Sequence, residues 1–269
     1  MTRVCLAGAT GWVGRGLVPA IAAAPDLELA AAVARNGAGR RLVEVLGGTE
    51  IDVPRVPLSG SVAEALGAGA CDVLIDYTSP DVVRGNVLEA VRRGVHAVVG
   101  TSGLTEEDFA AIDAAAQSRG VGVLAAGNFA LTAVLLAKFA EIAARHVPSW
   151  EIIDYGMARK PDAPSGTARE LAARLARVGA SRIEVPIDRT RGMAEARGAQ
   201  LLGTPVHSVR LPGFVSSVEV LFGRPDERLS IRHDSGSGAA PYVDGTLLAV
   251  RKVGSFKGLR RGLDAVLDL

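Results

Sequence analysis

The sequence is poor in the residues that build metal centres and cross-linked scaffolds, with two cysteines and four histidines in 269 residues. Cys5 and Cys71 lie in the apolar runs VCLAG and CDVLIDY with no CxxC and no Cys/His ligand spacing. That excludes a disulfide framework and reads them as core thiols of a reducing cytosol. His96, His146, His207 and His233 stand in unrelated contexts, so no metal site is expected. Charge is not in excess either. Thirty Lys and Arg against 29 Asp and Glu leave +1, and no field steers the molecule to nucleic acid or an anionic membrane. No run of about eighteen apolar residues is present to cross a bilayer. MTRVCLAGATG opens a strand almost at once, leaving no room for a signal peptide. Internal repeats and low-complexity linkers are missing too. These absences predict a cytoplasmic protein whose anionic ligands are held by local sites.

What is there is alternation. In the first half, short apolar runs (RVCLAG, LELAAAVA, CDVLIDY, HAVVG, VGVLAAG) alternate with longer amphipathic ones (GLVPAIAAA, DVVRGNVLEAVRRG, EEDFAAIDAAAQSRG). Such alternation marks βαβ units and predicts an α/β fold with a doubly wound parallel sheet of the Rossmann kind. Phe109, Ile112, Ala115 and Ala116 recur at helical spacing over 106–119, and Gly120 is the stop signal. Leu131 to Val147 reads as a helix apolar over most of its surface, expected where two domains meet. Beyond it come candidate strands WEIIDY, RIEVPI, HSVRL, SVEVLF and RLSIRH, with a helix only at 167–178. This predicts an α+β substrate domain with a mixed or antiparallel sheet. The tail YVDGTLLAVRKV reads as a helix that returns to the first domain. The expected division is 1–129 with 241–269 for the nucleotide, and 130–240 for substrate and oligomerisation.

The run Gly8-Ala9-Thr10-Gly11-Trp12-Val13-Gly14 joins the first strand to a helix over 13–24. The first glycine permits a tight turn, the second admits a pyrophosphate to the backbone, and the third lets the helix pack close on the strand. The phosphate meets free N–H groups at the helix start. An ordinary glycine-rich turn is the bland alternative, and the strand–turn–helix context favours cofactor binding. The second strand ends Ala32-Val33-Ala34-Arg35-Asn36, without the carboxylate that would bind a ribose 2′-OH, so Arg35 predicts NADPH, with NADH as the other possibility.

A second site is expected between Asp154 and Thr167. Pro161 biases Lys160 out of helix and leaves it on an irregular loop, free to face a cleft. Ser165 or Thr167 caps the next helix, and Gly166 leaves N–H groups open to a small carboxylate. A plain helix cap and a surface cation are the alternatives. Asp76 and Asp162, as strand-end and turn residues, are expected to fix backbone. His233, beside Asp234 and Ser235, is either a hydrogen-bonded strand-end histidine or a residue facing the cleft.

The sequence resembles the dihydrodipicolinate reductase family over most of its length. The resemblance rests on GATGWVGRGL, Asp76-Tyr77-Thr78, Gly100-Thr101-Ser102-Gly103, Ala126-Gly127-Asn128-Phe129 and, most specifically, KPDAPSGTA from Lys160. It implies an NAD(P)H-dependent reductase whose nucleotide meets Gly8, Thr10, Gly11, Trp12 and Val13. It also implies that Gly100, Thr101, Ser102, Ala126, Gly127, Asn128 and Phe129 border the nicotinamide, with Tyr77 and Thr78 also binding the cofactor. Ser165, Gly166 and Thr167 would grip a substrate carboxylate with Lys160 beside it, in a homotetramer or dimer. The sequence departs from the family where a histidine pair, the first a proton donor, usually precedes the lysine: Gly156 and Met157 stand there. A basic residue usual after His233 is also absent.

Two mechanisms remain. A C=C–C=N substrate needs a proton after hydride addition, which Tyr155 or Lys160 would have to supply. A preformed iminium needs none. Extended short-chain dehydrogenases share GATGxxG, but Tyr155 and Lys160 are five apart with Pro161 following, so the pair shares no helical face. A non-catalytic NADPH sensor is the remaining alternative, favoured by the missing histidines and opposed by the intact Lys160–Thr167 stretch.

Overall fold

The computed structural model describes residues 1–47 and 54–267. The chain divides into two compact units, Met1–Leu131 with Ala239–Leu269, and Thr132–Gly238.

The first unit begins with β1 (Thr2–Ala7), α1 (Trp12–Ala23), β2 (Leu27–Val33), α2 (Leu42–Leu46) and β3 (Leu58–Ser59). It continues with α3 (Val62–Ala68), β4 (Val73–Asp76), α4 (Pro80–Arg92), β5 (His96–Val99), α5 (Glu106–Arg119) and β6 (Gly122–Ala125). The strands are nearly continuous apolar runs because both faces are covered: Leu6, Leu74, Ile75, Val98 and Leu124 are fully buried. α5 follows its sequence signals closely. Thr105 caps it by accepting from Asp108 N–H, Ile112 and Ala116 are buried, and Gly120 ends it in the left-handed region at φ +69°.

The second unit contains α6 (Leu131–Ala144), β7 (Ser149–Gly156), α7 (Gly166–Ala176), β8 (Ala199–Leu201), β9 (Thr204–Arg210), β10 (Ser216–Arg224) and β11 (Glu227–Ser235). Its five strands run in the order β11-β10-β7-β9-β8, with β7 parallel to β9 and the other pairs antiparallel, a mixed sheet. Alternate residues Trp150, Ile152, Val218, Val220 and Phe222 pack against Leu136 and Ala140 of α6 and Leu171 and Leu175 of α7. The opposite face carries Tyr155, Glu219 and the exposed Leu221.

One expected strand is not formed. RIEVPI at 182–187 joins no sheet, its Arg182 N–H donating to the Pro148 carbonyl at 2.7 Å, and it leads into a 3₁₀ turn over Ile187–Arg189. Val185 is half-exposed, Pro186 has no N–H for a ladder, and the sheet edge beside β9 is taken by β8.

The chain then returns to the first unit with α8 (Ala240–Lys252) and β12 (Gly258–Arg261). β12 completes an all-parallel seven-stranded sheet in the order β12-β6-β5-β4-β1-β2-β3. Strand order reverses between β1 and β4, which places a crevice outside their carboxyl ends.

Candidate functional site

The turn after β1 is built as its glycines require. Gly8 lies at φ +86°, and a Cβ there would stand 2.1 Å from the Tyr77 carbonyl oxygen. A Cβ on Gly14 would stand 2.2 Å from the Gly8 carbonyl oxygen, so only glycine lets α1 pack this close to the turn. Gly8 and Ala9 donate to the Val33 carbonyl at 3.0 and 3.1 Å, fastening the turn to the end of β2. No side chain caps α1, whose cap residue is Gly11. The first-turn N–H groups of Trp12 and Val13 are thus left to an anion. This cradle fits a dinucleotide pyrophosphate. Trp12 is 58 % exposed and meets Tyr242 edge-on at 5.5 Å. Arg35 is exposed two residues past β2, whereas Arg40 and Arg41 are engaged with Glu44 on α2.

Asp76, fully buried at the end of β4, gathers the neighbouring segments. Its carboxylate accepts from Thr78 N–H at 3.1 Å, Thr78 Oγ1 at 2.7 Å, Thr101 Oγ1 at 2.6 Å and Asn86 Nδ2 at 2.8 Å. It therefore fixes backbone, with three of these bonds on Oδ1 and the Asn86 bond on Oδ2. Tyr77 lies edge-on to the buried Phe129 at 6.0 Å. Its hydroxyl donates to Thr246 Oγ1 at 2.8 Å, since Thr246 spends its own proton on the Tyr242 carbonyl. Burial raises the Tyr77 pKa, so the phenol stays neutral. Asn128 turns inward to accept from Ala130 N–H, and Gly100, Ser102, Ala126 and Gly127 complete the loops at the ends of β5 and β6. The structure brings Gly8, Tyr77, Thr78, Gly100 and Thr101 together at one end of the sheet.

In the second unit, Ser165 is buried and caps α7, accepting from Ala168 N–H at 3.2 Å. Its own N–H donates to Asp154 Oδ2 at 2.8 Å. Gly166 and Thr167 open the helix with their N–H groups outward of the cap. Lys160 is mostly shielded and pairs with Asp162 at 3.1 Å, which holds the Asp162 carboxyl below the usual range. Lys160 lies on the loop between β7 and α7, as its following proline leads one to expect.

Arg210 and Asp154 are the residues that sequence reasoning missed. Arg210 donates from Nη2 to Asp154 Oδ2 at 2.6 Å and to the Asp162 carbonyl at 2.7 Å, and from Nη1 to the Asp154 carbonyl at 3.1 Å. Burial pushes the Asp154 carboxyl up, but hydrogen bonds from Ser165 and Arg210 outweigh it and leave the pKa lowered. A Cβ at Gly156 would stand 3.0 Å from Lys160 Cδ and 3.2 Å from Arg210 Nε. At the position where the family usually carries a histidine, the Lys160 and Arg210 side chains therefore lie close against the glycine.

Tyr155 is not part of this cluster. Strand alternation turns it to the opposite face from Asp154, where its hydroxyl donates to Glu219 at 3.0 Å beneath the Arg232 guanidinium. Burial and the Glu219 carboxylate raise its pKa, and its position sets it apart from the Asp154–Arg210 cluster. His233 is buried and bonded to Thr132 Oγ1 at 2.9 Å, the hydrogen-bonded strand-end histidine of the two expectations.

A parallel sheet of this strand order, with an uncapped glycine turn at its switch point, defines a dinucleotide-binding fold, here joined to a mixed-sheet second unit. Residues 2–129 match the family model "Dihydrodipicolinate reductase, N-terminus" and residues 132–267 match "Dihydrodipicolinate reductase, C-terminus". The chain belongs to the dihydrodipicolinate reductase family. It is 38 % identical over 266 residues to a 4-hydroxy-tetrahydrodipicolinate reductase of Geobacillus kaustophilus, covering 99 % of each chain. A 4-hydroxy-tetrahydrodipicolinate reductase of Mycolicibacterium smegmatis is 40 % identical over 268 residues, again covering 99 % of each. Among solved structures, a dipicolinate-bound dihydrodipicolinate reductase from Paenisporosarcina sp. TG-14 matches with a TM-score of 0.88 at 31 % identity, covering 99 % of this chain and all of that one. No helix among the described residues is long and apolar enough to cross a membrane.

Proposed function

We propose that this chain reduces the C=N bond of a small cyclic imine that carries a carboxylate, using NADPH. When bound, the nicotinamide supplies a hydride to the imine carbon. The pyrophosphate is held by Gly8, Thr10, Gly11, Trp12 and Val13, and Arg35 faces the 2′-phosphate. Tyr77, Thr78, Gly100, Thr101, Ser102, Ala126, Gly127, Asn128 and Phe129 border the nicotinamide. Ser165, Gly166 and Thr167 hold the carboxylate, and Lys160 leaves Asp162 to join it. The first unit is thus the dinucleotide domain and the second the substrate domain of a cytoplasmic homo-oligomer.

The observation that carries this reading is Gly156. It offers no side chain, the Lys160 and Arg210 side chains lie close against it, and Tyr155 is bonded to Glu219 on the other face of the sheet. A substrate already protonated on nitrogen suits such a site, because hydride addition to an iminium yields a neutral amine with charge and protons balanced. The intact KPDAPSGTA stretch favours a second reading, in which the substrate is 4-hydroxy-tetrahydrodipicolinate and Lys160 donates the proton. The test is NADPH oxidation with freshly generated 4-hydroxy-tetrahydrodipicolinate beside cyclic imino acids. We expect turnover on the imino acids. An ordinary rate on the former alone would establish the second reading, and cofactor binding without turnover on any substrate would make the protein a sensor.

A further inference from the structure

We propose that Arg210, through Asp154, is the positioning residue of the carboxylate site, holding the Lys160 loop and the start of α7 in the geometry that receives the substrate. The inference rests on the functional reading above and deepens it.

Arg210 is the last residue of β9 and lies opposite Gly156 at the end of β7. Its guanidinium ties the β7 backbone at the Asp154 carbonyl to the turn at the Asp162 carbonyl. Asp154 ties the same strand to the Ser165 N–H and also accepts from Ser208 Oγ at 3.2 Å. One ion pair therefore fixes positions 154, 162 and 165, which bracket Lys160 and the cap of α7. The Lys160 stem and Arg210 also lie together over Gly156. A planar fork of donors makes these bonds at once, which a single ammonium does not.

The pair is not built for stability alone. Its side chains are 15 % and 1 % exposed, yet Asp154 Oδ1 and Arg210 Nε are buried without any hydrogen-bond partner. A pair optimised for the fold would use both oxygens and both edges of the guanidinium. Buried pairs often stabilise no more than apolar residues of the same volume, and unsatisfied atoms add a further cost. The one-sided pairing is explained if Asp154 Oδ2 must serve the Ser165 N–H while Arg210 serves the loop carbonyl.

The experiment uses the full chain loaded with NADPH, with pyridine-2,6-dicarboxylate as the calorimetric probe. The variants are Arg210→Lys and Asp154→Asn, each checked for its melting temperature and NADPH affinity. We expect both to fold and to bind NADPH as the unaltered chain does. Probe affinity should fall about tenfold or more, the scale of losing one well-placed charged contact. On a substrate, the rise should appear in KM with kcat less affected. Probe affinity within about twofold of the unaltered chain in either folded variant would overturn the inference and leave the functional reading standing. Failure of both variants to fold would also overturn it, since the pair would then be structural. An unaltered chain that binds NADPH but no dicarboxylate would overturn the functional reading, and the inference with it.

Discussion

A single methyl group separates the working turn from a broken one at Gly8. An alanine there meets the Tyr77 carbonyl at 2.1 Å in a left-handed backbone conformation. Gly8→Ala is expected to cost on the order of 3 kcal/mol and to abolish nucleotide binding, read by thermal melting with and without NADPH. Arg35 is a milder case. As an exposed cation at the end of β2, its replacement by alanine should raise KM for NADPH about tenfold while leaving NADH unchanged, and an equal effect on both would remove it from the 2′-phosphate. At Gly156 the family's usual residue should do harm. A histidine there displaces Lys160 and Arg210, so Gly156→His is expected to lower kcat/KM on cyclic imino acids, measured by NADPH oxidation. Arg210 itself was hidden from sequence reading, since only the parallel pairing of β9 with β7 brings it to Asp154 across more than fifty positions. The place of Tyr155 could have been read: as a neighbour of Asp154 in one strand, it cannot share its face.

Elements declare themselves when their end signals are local. α5 has a cap, a buried stripe and a terminal glycine, and its expected span of 106–119 is the span observed. β3 is two residues long and β12 is GLRR, neither with a hydrophobic period to read, so both exist only through sheet neighbours. RIEVPI had the composition of a strand but no partner. The start of α7 serves both fold and site. Ser165→Ala removes the cap to Ala168 N–H and should cost about 1 kcal/mol, a melting shift of roughly 2–4 °C, checked by calorimetry. Thr at the same position should restore most of it.

At the level of the whole molecule, pH acts through two histidines, the buried His233 and the half-buried His96. His96 accepts from Gly122 N–H through Nδ1, and burial lowers its pKa and that of His233 below 6.5. The folded chain therefore binds fewer protons than the unfolded one below that value. Stability should be full above it and decline as pH falls through it toward the lower folded values. Denaturant melts across this range would show it, and His96→Asn should remove part of the slope.

β12 supplies the outermost strand of the first sheet from residues made only after the whole of the second unit. On the ribosome, β6 therefore waits with a bare edge while all of Thr132–Gly238 is made, and such an edge invites pairing with other nascent chains. The inserted unit, contiguous in sequence, has everything it needs to fold during that interval. Birth order runs opposite to chain order: the second unit is complete before the first, whose sheet closes only once β12 has been made.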